Sequence, residues 1–187
     1  ALTRRLGAEW EILQNGFKYF PSILASHAPI QATLAVVTKY DLRPEDIASI
    51  TNETYNTVKT HFSETLVTTS MGARVSVPYC CAVAALDRKV GQAQFTQERV
   101  SRPDVQRLLA YTEVVADPEL NKLYPAKFPA RVTVRTKDGR SFTEMREFPK
   151  GDPQEPLTPS EIEAKFLDNV ADRFDAGDVL QIEPMNT

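Results

Sequence analysis

Two residues near the start of the chain, Lys18 and His27, have side chains that could act on an anionic substrate. Lys18 lies in a segment that Pro21 keeps extended, because the residue before a proline avoids the helical region. His27 lies in the first turn of a helix that Ser26 is predicted to cap. A lysine beside a helix N-terminus favours a carboxylate, and a histidine can move a proton near neutral pH. The alternative is structural: Lys18 is an ordinary surface residue, and His27 donates a hydrogen bond within its own helical turn.

A second polar group stands at the start of the most apolar segment of the chain. Ser76 can cap a helix there, with Pro78 in the first turn and Arg74 just before it. Arg74 and Ser76 are candidate ligands for substrate carboxylates, and the hydroxyl of Tyr79 could face the same ligand. The alternative is structural, with Ser76 acting only as the cap and Tyr79 as a core aromatic residue.

The composition excludes several classes of protein. With 22 basic and 25 acidic residues the net charge is −3, which argues against a nucleic-acid partner. The longest apolar run, Tyr79–Leu86, is too short for a membrane span. Cys80 and Cys81 are adjacent and predicted to be buried packing residues, so a disulfide scaffold is excluded and a cytoplasmic location expected. Two histidines, His27 and His61, predict neither a metal site nor a cofactor.

The elements that position the first of these groups are predicted from the spacing of apolar residues and from proline and glycine residues that end helices. Apolar residues at helical spacing predict a helix over residues 1–14, which Asn15-Gly16 ends. A second helix is predicted from Ser26 to about Tyr40, and a strand over Ile47–Tyr55. The polar stretch Asn56–Gly72 gives no assignment.

The middle of the chain carries the clearest local signals. A helix is predicted to begin near Ser76 and another to cover Pro103–Tyr111, followed by a strand over Thr112–Ala116. Asp117 is predicted to cap a short helix. Alternating segments on either side of residues 137–139 predict a β-hairpin, which is the strongest of these signals.

The last part of the chain differs in composition from the rest. Residues 149–159 hold four of the 13 prolines and predict an extended linker. Thr158 and Glu161 form a capping box for a following helix. From Asp152 onward the net charge is −7, which leaves +4 for the preceding residues.

These elements predict an α+β fold, a small two-layer domain with a mostly antiparallel sheet and packed helices. The predicted parts are a terminal helix over 1–16, the α+β domain over 17–150, and a linker, helix and acidic tail over 151–187.

Several segments, in this order, resemble the C-terminal half of MmgE/PrpD proteins. Phe17–Ile30 shows the family's Lys-x-x-Pro pattern with a histidine opening the next helix, and Ala73–Ala84 resembles its Ser-x-Pro-Tyr helix. The hairpin with Asp138-Gly139 follows, and then Phe148–Leu157 and Lys165-Phe166. The chain is therefore identified as similar to that family over about residues 10 to 170.

The resemblance implies a fold and a chemistry. Family members are enzymes with a large helical domain and a smaller α+β lid, and they include 2-methylcitrate dehydratases, cis-aconitate decarboxylases and iminodisuccinate epimerases. The resemblance therefore implies an enzyme that needs no cofactor and transfers a proton next to a carboxylate. Lys18 matches the family's active-site lysine, His27 its histidine and Tyr79 its tyrosine. Some cis-aconitate decarboxylases carry a further histidine where this chain has Ile23, so the resemblance favours dehydration or epimerisation of a di- or tricarboxylate.

The family's helical domain precedes the region that this chain resembles. We therefore expect a partner, either that helical domain or a separate subunit, and no turnover by the chain alone. An apolar surface should remain where the helical domain would dock, and it could also support a homo-oligomer. The alternative function is a non-catalytic α+β interaction or ligand-binding module.

Overall fold

Alternating burial along four strands gives a sheet with one covered face. The computed structural model describes residues 5, 7, 8 and 10–170. In these residues the strands are β1 (Ile47–Thr54), β2 (Thr112–Ala116), β3 (Ala130–Thr136) and β4 (Ser141–Arg146). Their order is β2-β1-β3-β4, with β2 parallel to β1 and the other neighbours antiparallel. The sheet is mixed, and it confirms the predicted α+β class with mostly antiparallel pairing.

Helices cover one face of this sheet. Helix α1 (His27–Lys39) packs on β3 and β4, and also contacts α4 (Val77–Asp87). Helix α4 in turn packs on β2 and on α6 (Pro103–Leu109). The opposite face of the sheet is polar, with exposed hydroxyl contacts such as Thr133 to Thr143 at 2.8 Å. The covered face carries the core, because only that side of each strand meets apolar helix surface.

Three local predictions are confirmed. The hairpin turns at Gly139, whose φ of 88° lies in the left-handed region that glycine tolerates. Asp117 caps α7 (Pro118–Leu123), and its carboxylate accepts hydrogen bonds from the amides of Glu119 and Leu120 at 2.7 and 3.1 Å. Ser76 caps α4, accepting a hydrogen bond from the Tyr79 amide at 3.1 Å.

Other local predictions are wrong. The described part of the predicted 1–14 helix has turns at residues 5, 7 and 8, extended backbone at Trp10 and a 3₁₀ turn over Glu11–Gln14. Residues 1–4, 6 and 9 lie outside the described residues. The predicted extended linker is a tight loop over residues 150–155, closed by a bridge between Asp152 and Glu155. The polar stretch that gave no assignment contains α2 (Asn56–His61) and the start of α3 (Ser70–Val75). A further short helix, α5 (Gln97–Val100), follows later in the chain.

The chain divides into two compact units, the first ending at Pro156 and the second beginning at Leu157. The second contains α8 (Pro159–Val170), whose predicted capping box is confirmed by the Thr158 amide donating to Glu161 at 2.8 Å. Most of the acidic tail, residues 171–187, lies outside the described residues. Among the helices that are described, none combines the length and apolar character that a membrane crossing requires.

Candidate active site

Lys18 is exposed on an irregular segment that is anchored at both ends. We call residues 17–23 the Lys18 strap. At its first residue the Phe17 amide donates to the Gly151 carbonyl at 2.8 Å. At its last residue the Ile23 amide donates to the Arg74 carbonyl at 2.9 Å. The strap has no regular secondary structure and bends at residues 20–22, where the Ser22 amide donates to the Phe20 carbonyl at 2.9 Å. The two anchors hold the backbone on either side of the exposed Lys18.

The first anchor is a close crossing of two backbones. Gly151 has a φ of 93°, and a Cβ atom there would overlap the Phe17 carbonyl. A Cβ atom on Gly16 would lie 2.7 Å from the Gly151 carbonyl oxygen. Both positions therefore need glycine, because any side chain would push the two segments apart. This crossing ties the strap to the loop at residues 150–155.

Gln31 on α1 fixes the same loop from the other side. Its Oε1 accepts a hydrogen bond from the Lys150 amide at 2.6 Å, and its Nε2 donates to Glu155 Oε1 at 3.1 Å. Gln31 lies one helical turn after His27, so both residues share a face of α1. Sequence reasoning missed Gln31 and the glycine crossing, although Gly16 and Gly151 are two of only seven glycines in the chain.

His27 is the first residue of α1, as predicted, and its side chain is fully buried. Its ring packs edge-on against Phe20, with ring centroids 5.4 Å apart. Phe20 belongs to the Lys18 strap and is itself buried. His27 therefore supports the strap by packing against its one buried aromatic ring.

The prediction that Ser26 caps α1 is wrong. Its hydroxyl forms no capping hydrogen bond and instead donates to the Ile23 carbonyl at 2.7 Å. It also lies 2.7 Å from the Ser22 hydroxyl. A 3₁₀ turn over Leu24–Ser26 runs directly into the helix, which turns the serine back toward the strap.

Arg74 holds the second anchor of the strap through its side chain as well as its backbone. Its Nη1 donates to the Pro21 carbonyl at 2.6 Å, and its Nη2 donates to Gln92 Oε1 at 3.0 Å. The guanidinium also lies 4.8 Å from the centre of the Phe95 ring. The side chain predicted to bind substrate is thus half-buried and directed at protein groups.

Ser76 and Tyr79 lie in the core at the start of α4. Besides capping the helix, the Ser76 hydroxyl donates to the Glu64 carbonyl at 2.6 Å. The Tyr79 hydroxyl donates to the Gln94 carbonyl at 2.5 Å, and burial raises its pKa. Tyr79 also packs near Phe95, with ring centroids 5.9 Å apart. Lys18 thus lies on the strap, His27 and Arg74 contact the strap at Phe20 and Pro21, and Tyr79 and Arg74 both pack against Phe95.

The described residues offer few other reactive groups near the strap. Burial raises the pKa of Cys80 to about 12 and that of Cys81 to about 12, so neither thiol is activated as a nucleophile. In the part of the chain that is described, no cluster of three or more His, Cys, Asp or Glu could hold a metal ion.

An open pocket lies elsewhere on the domain and contains none of the predicted site residues. It has a volume of about 450 Å³ and is lined by Asp87, Ala93, Thr96, Glu98, Arg99, Arg102 and Asp104. The guanidinium of Arg99 is paired with Asp87 at 2.5 Å and with Asp104 at 2.9 Å. Because these carboxylates neutralise its central cation, the pocket is poorly suited to a carboxylate ligand.

Comparison with known proteins identifies the family. The chain matches the MmgE/PrpD C-terminal domain over residues 20–186, a match that begins just after Lys18. The chain belongs to the MmgE/PrpD family, as its C-terminal α+β domain.

Two curated relatives are cis-aconitate decarboxylases. The human protein is 28% identical over 168 residues, which cover 83% of this chain and 33% of the relative. The mouse protein is 25% identical over 160 residues, which cover 83% of this chain and 32% of the relative. The chain thus matches about a third of the length of these relatives.

Proposed function

We propose that this chain is the α+β domain of a lyase or isomerase that removes a proton next to a carboxylate of a di- or tricarboxylate. The observation that carries the proposal is Lys18, an exposed cation on a strap anchored at both ends. The relatives named for cis-aconitate support an anionic substrate. Ile23 supplies no titratable group, which favours dehydration or epimerisation over decarboxylation. The proposed reaction needs no metal or cofactor.

The proposed roles of the residues follow from their exposure. Lys18 binds a substrate carboxylate, because its ammonium can reach solvent and makes a charge-assisted hydrogen bond there. His27 orients the strap by packing against Phe20. Tyr79 orients α4 through its hydroxyl, whose raised pKa disfavours proton loss near neutral pH. The proton-abstracting base is proposed to come from the helical domain of the complete enzyme.

That helical domain is the proposed partner of this chain, and we propose that the chain is inactive without it. The segment before the strap and the strap's first residue present large apolar side chains to solvent. Their exposed fractions are 61% for Trp10, 72% for Ile12, 70% for Leu13 and 70% for Phe17. We propose that these neighbouring exposed apolar side chains form the interaction site, which could also drive self-association of the isolated chain. Size-exclusion chromatography over a concentration series measures that association, and a clean monomer at high concentration would argue against it.

The test of the proposal compares the 187-residue chain with the longest natural polypeptide that carries it. Both are assayed against 2-methylcitrate, cis-aconitate and iminodisuccinate. We expect turnover of one of these acids by the longer polypeptide and none by the chain alone. Lys18→Met should lower kcat/KM by about 10- to 100-fold, since a hydrogen bond to a charged group is lost. Lys59→Met, at an exposed position on α2, is the matched control and should leave kcat/KM unchanged.

The outcomes separate the two candidate functions. Robust turnover by the isolated chain would refute the need for a partner domain. Equal kcat/KM values for the Lys18 and Lys59 variants would refute the role of Lys18. Carboxylate binding without turnover in the longer polypeptide would favour the alternative, a ligand-binding module, which the burial of His27 and Tyr79 also favours.

A further inference from the structure

Arg74 holds the part of the strap that separates Lys18 from His27. Its side chain meets three partners at once: the Pro21 carbonyl at 2.6 Å, Gln92 Oε1 at 3.0 Å and the face of Phe95 at 4.8 Å. Its own carbonyl accepts the Ile23 amide at 2.9 Å. One residue therefore fixes the far end of the strap through both side chain and backbone.

We propose that Arg74 is a positioning residue for Lys18, acting through the Pro21 carbonyl, and not a ligand of the substrate. The inference rests on the proposed function, because it assigns a role to the residue that holds Lys18 in place. The other anchor, from Phe17 to Gly151, joins two backbones and does not involve Arg74. Loss of the guanidinium would therefore loosen this end of the strap, which only the backbone hydrogen bond from Ile23 would still hold, and leave the other end unchanged. Lys18 would remain present but would sample more positions, which weakens any contact that depends on its placement.

The three partners require the shape of a guanidinium. Its planar group donates to two acceptors in different directions while its face lies against an aromatic ring. A lysine ammonium carries the same charge but has no flat face to stack and no fixed fork of donors. Arg74→Lys should therefore restore the charge without restoring the anchor. If Arg74 only supplied charge to the substrate, Arg74→Lys would keep more activity than it would if Arg74 positions the strap.

The first measurement is amide hydrogen exchange in the 187-residue chain, which needs no activity. Arg74→Ala should speed exchange of the Ile23 amide by about tenfold or more, because the charged hydrogen bond that holds this end is lost. The Phe17 amide should change much less. Arg88→Ala is the matched control, since Arg88 also donates to a main-chain carbonyl, that of Leu42, at 2.9 Å. It should leave the Ile23 amide protected.

The second measurement is turnover by the longest natural polypeptide that carries the chain. Arg74→Ala and Arg74→Lys should both lower kcat/KM, whereas Arg88→Ala should not. Guanidinium chloride at low millimolar concentration should restore both activity and Ile23 protection in Arg74→Ala, because the free ion fits between Pro21, Gln92 and Phe95. Ammonium chloride should restore neither.

The outcomes distinguish this inference from the proposed function. If the wild-type protein is active and the Arg74 and Arg88 variants match in exchange and kcat/KM, the positioning role is wrong and the proposed function stands. If Arg74→Ala loses activity while the Ile23 amide stays protected, Arg74 acts on substrate directly and the inference is also overturned. If the wild-type protein neither binds nor converts any carboxylate tested, the proposed function fails, and the inference fails with it.

Discussion

Helices α1 and α4 both begin directly after a serine, but only the serine before α4 caps its helix. Ser76 turns its hydroxyl forward, where it accepts the Tyr79 amide at 3.1 Å and satisfies the first turn of α4. Ser26 turns its hydroxyl backward, where it donates to the Ile23 carbonyl at 2.7 Å and supports the Lys18 strap. Each helix also carries a proline in its first turn, Pro78 or Pro29, so the local sequence does not separate the two cases.

The difference concerns the contacts made at the start of each helix, since both starts are buried. The start of α4 is capped by its own serine, and its first amide, that of Val77, donates to the Phe62 carbonyl at 2.9 Å. The start of α1 depends on distant segments: the loop at residues 150–155, Arg74 and the strap. Cooperation among distant segments is common where a protein must hold a functional side chain outside the core.

The glycine crossing is the most sensitive point on the α1 side. Gly151→Ala should lower the free energy of unfolding by about 3 kcal/mol or more, because it combines a left-handed φ with a clash against the Phe17 carbonyl. Gly139→Ala is the matched control, since φ is 88° there but nothing lies within 4 Å of the added Cβ. It should cost only about 1 kcal/mol. Urea denaturation measures both, and equal losses would show that the crossing contributes nothing.

Replacing each serine tests the contrast directly. Ser76→Ala should lower the free energy of unfolding by about 1 to 2 kcal/mol and speed exchange of the Tyr79 amide, because the cap is lost. Ser26→Ala should leave exchange in the first turn of α1 unchanged, since Ser26 does not cap it. Its effect should appear instead at the strap, as faster exchange of the Ile23 amide. Faster exchange in the first turn of α1 would contradict the assigned role of Ser26.

Beneath the helices, Asn52 lies on the covered face of the sheet between Val114 and Val132. Within the described residues, neither polar atom of its buried amide has a hydrogen-bond partner. Asn52→Val should therefore raise the free energy of unfolding by about 1 kcal/mol, as an unsatisfied buried group is removed. Thr54→Val is the control and should lower it by about 1 kcal/mol, because the Thr54 hydroxyl donates to the Pro129 carbonyl. Thermal unfolding measures both, and a loss of stability in Asn52→Val would show that its amide has a partner such as a buried water.

The cap of α7 extends the contrast to a charged side chain. Hydrogen bonds from the Leu120 and Glu119 amides, together with Arg131, hold the pKa of Asp117 below its usual value. A lowered pKa in the folded state adds stability above the unfolded pKa of about 4 and loses it as pH falls further. Asp117→Asn should therefore flatten the dependence of stability on pH below about pH 4. Urea midpoints measured across this range test it, and an unchanged slope would exclude Asp117 as a contributor.

Predictions from the sequence succeed where a few neighbouring residues decide the structure. The hairpin around Gly139 and the caps at Ser76 and Asp117 each depend on contacts within about four residues. Helices α2 and α3 were missed because each has only six residues in a polar, threonine-rich stretch without helical periodicity. Short helices of this kind are stabilised by tertiary packing more than by their own sequence.

The candidate site could be predicted only in part for the same reason. Lys18 and His27 were found from a nearby proline and a helix start, and the structure places them on and beneath one strap. Gln31 holds a loop more than 100 residues away in the sequence, so no local pattern marks it. The 150–155 loop was mistaken for an extended linker because its prolines suggested one, whereas Gly151 and its contacts with Phe17 close it.

Trp10 is the only tryptophan of the chain, and its side chain is 61% exposed seven residues before Phe17. Intrinsic tryptophan fluorescence will therefore report on this one solvent-facing position and not on the hydrophobic core. Unfolding should change the emission little, while a surface that covers the indole should shift it to shorter wavelength. The protein thus carries a natural optical probe for whatever binds over this indole.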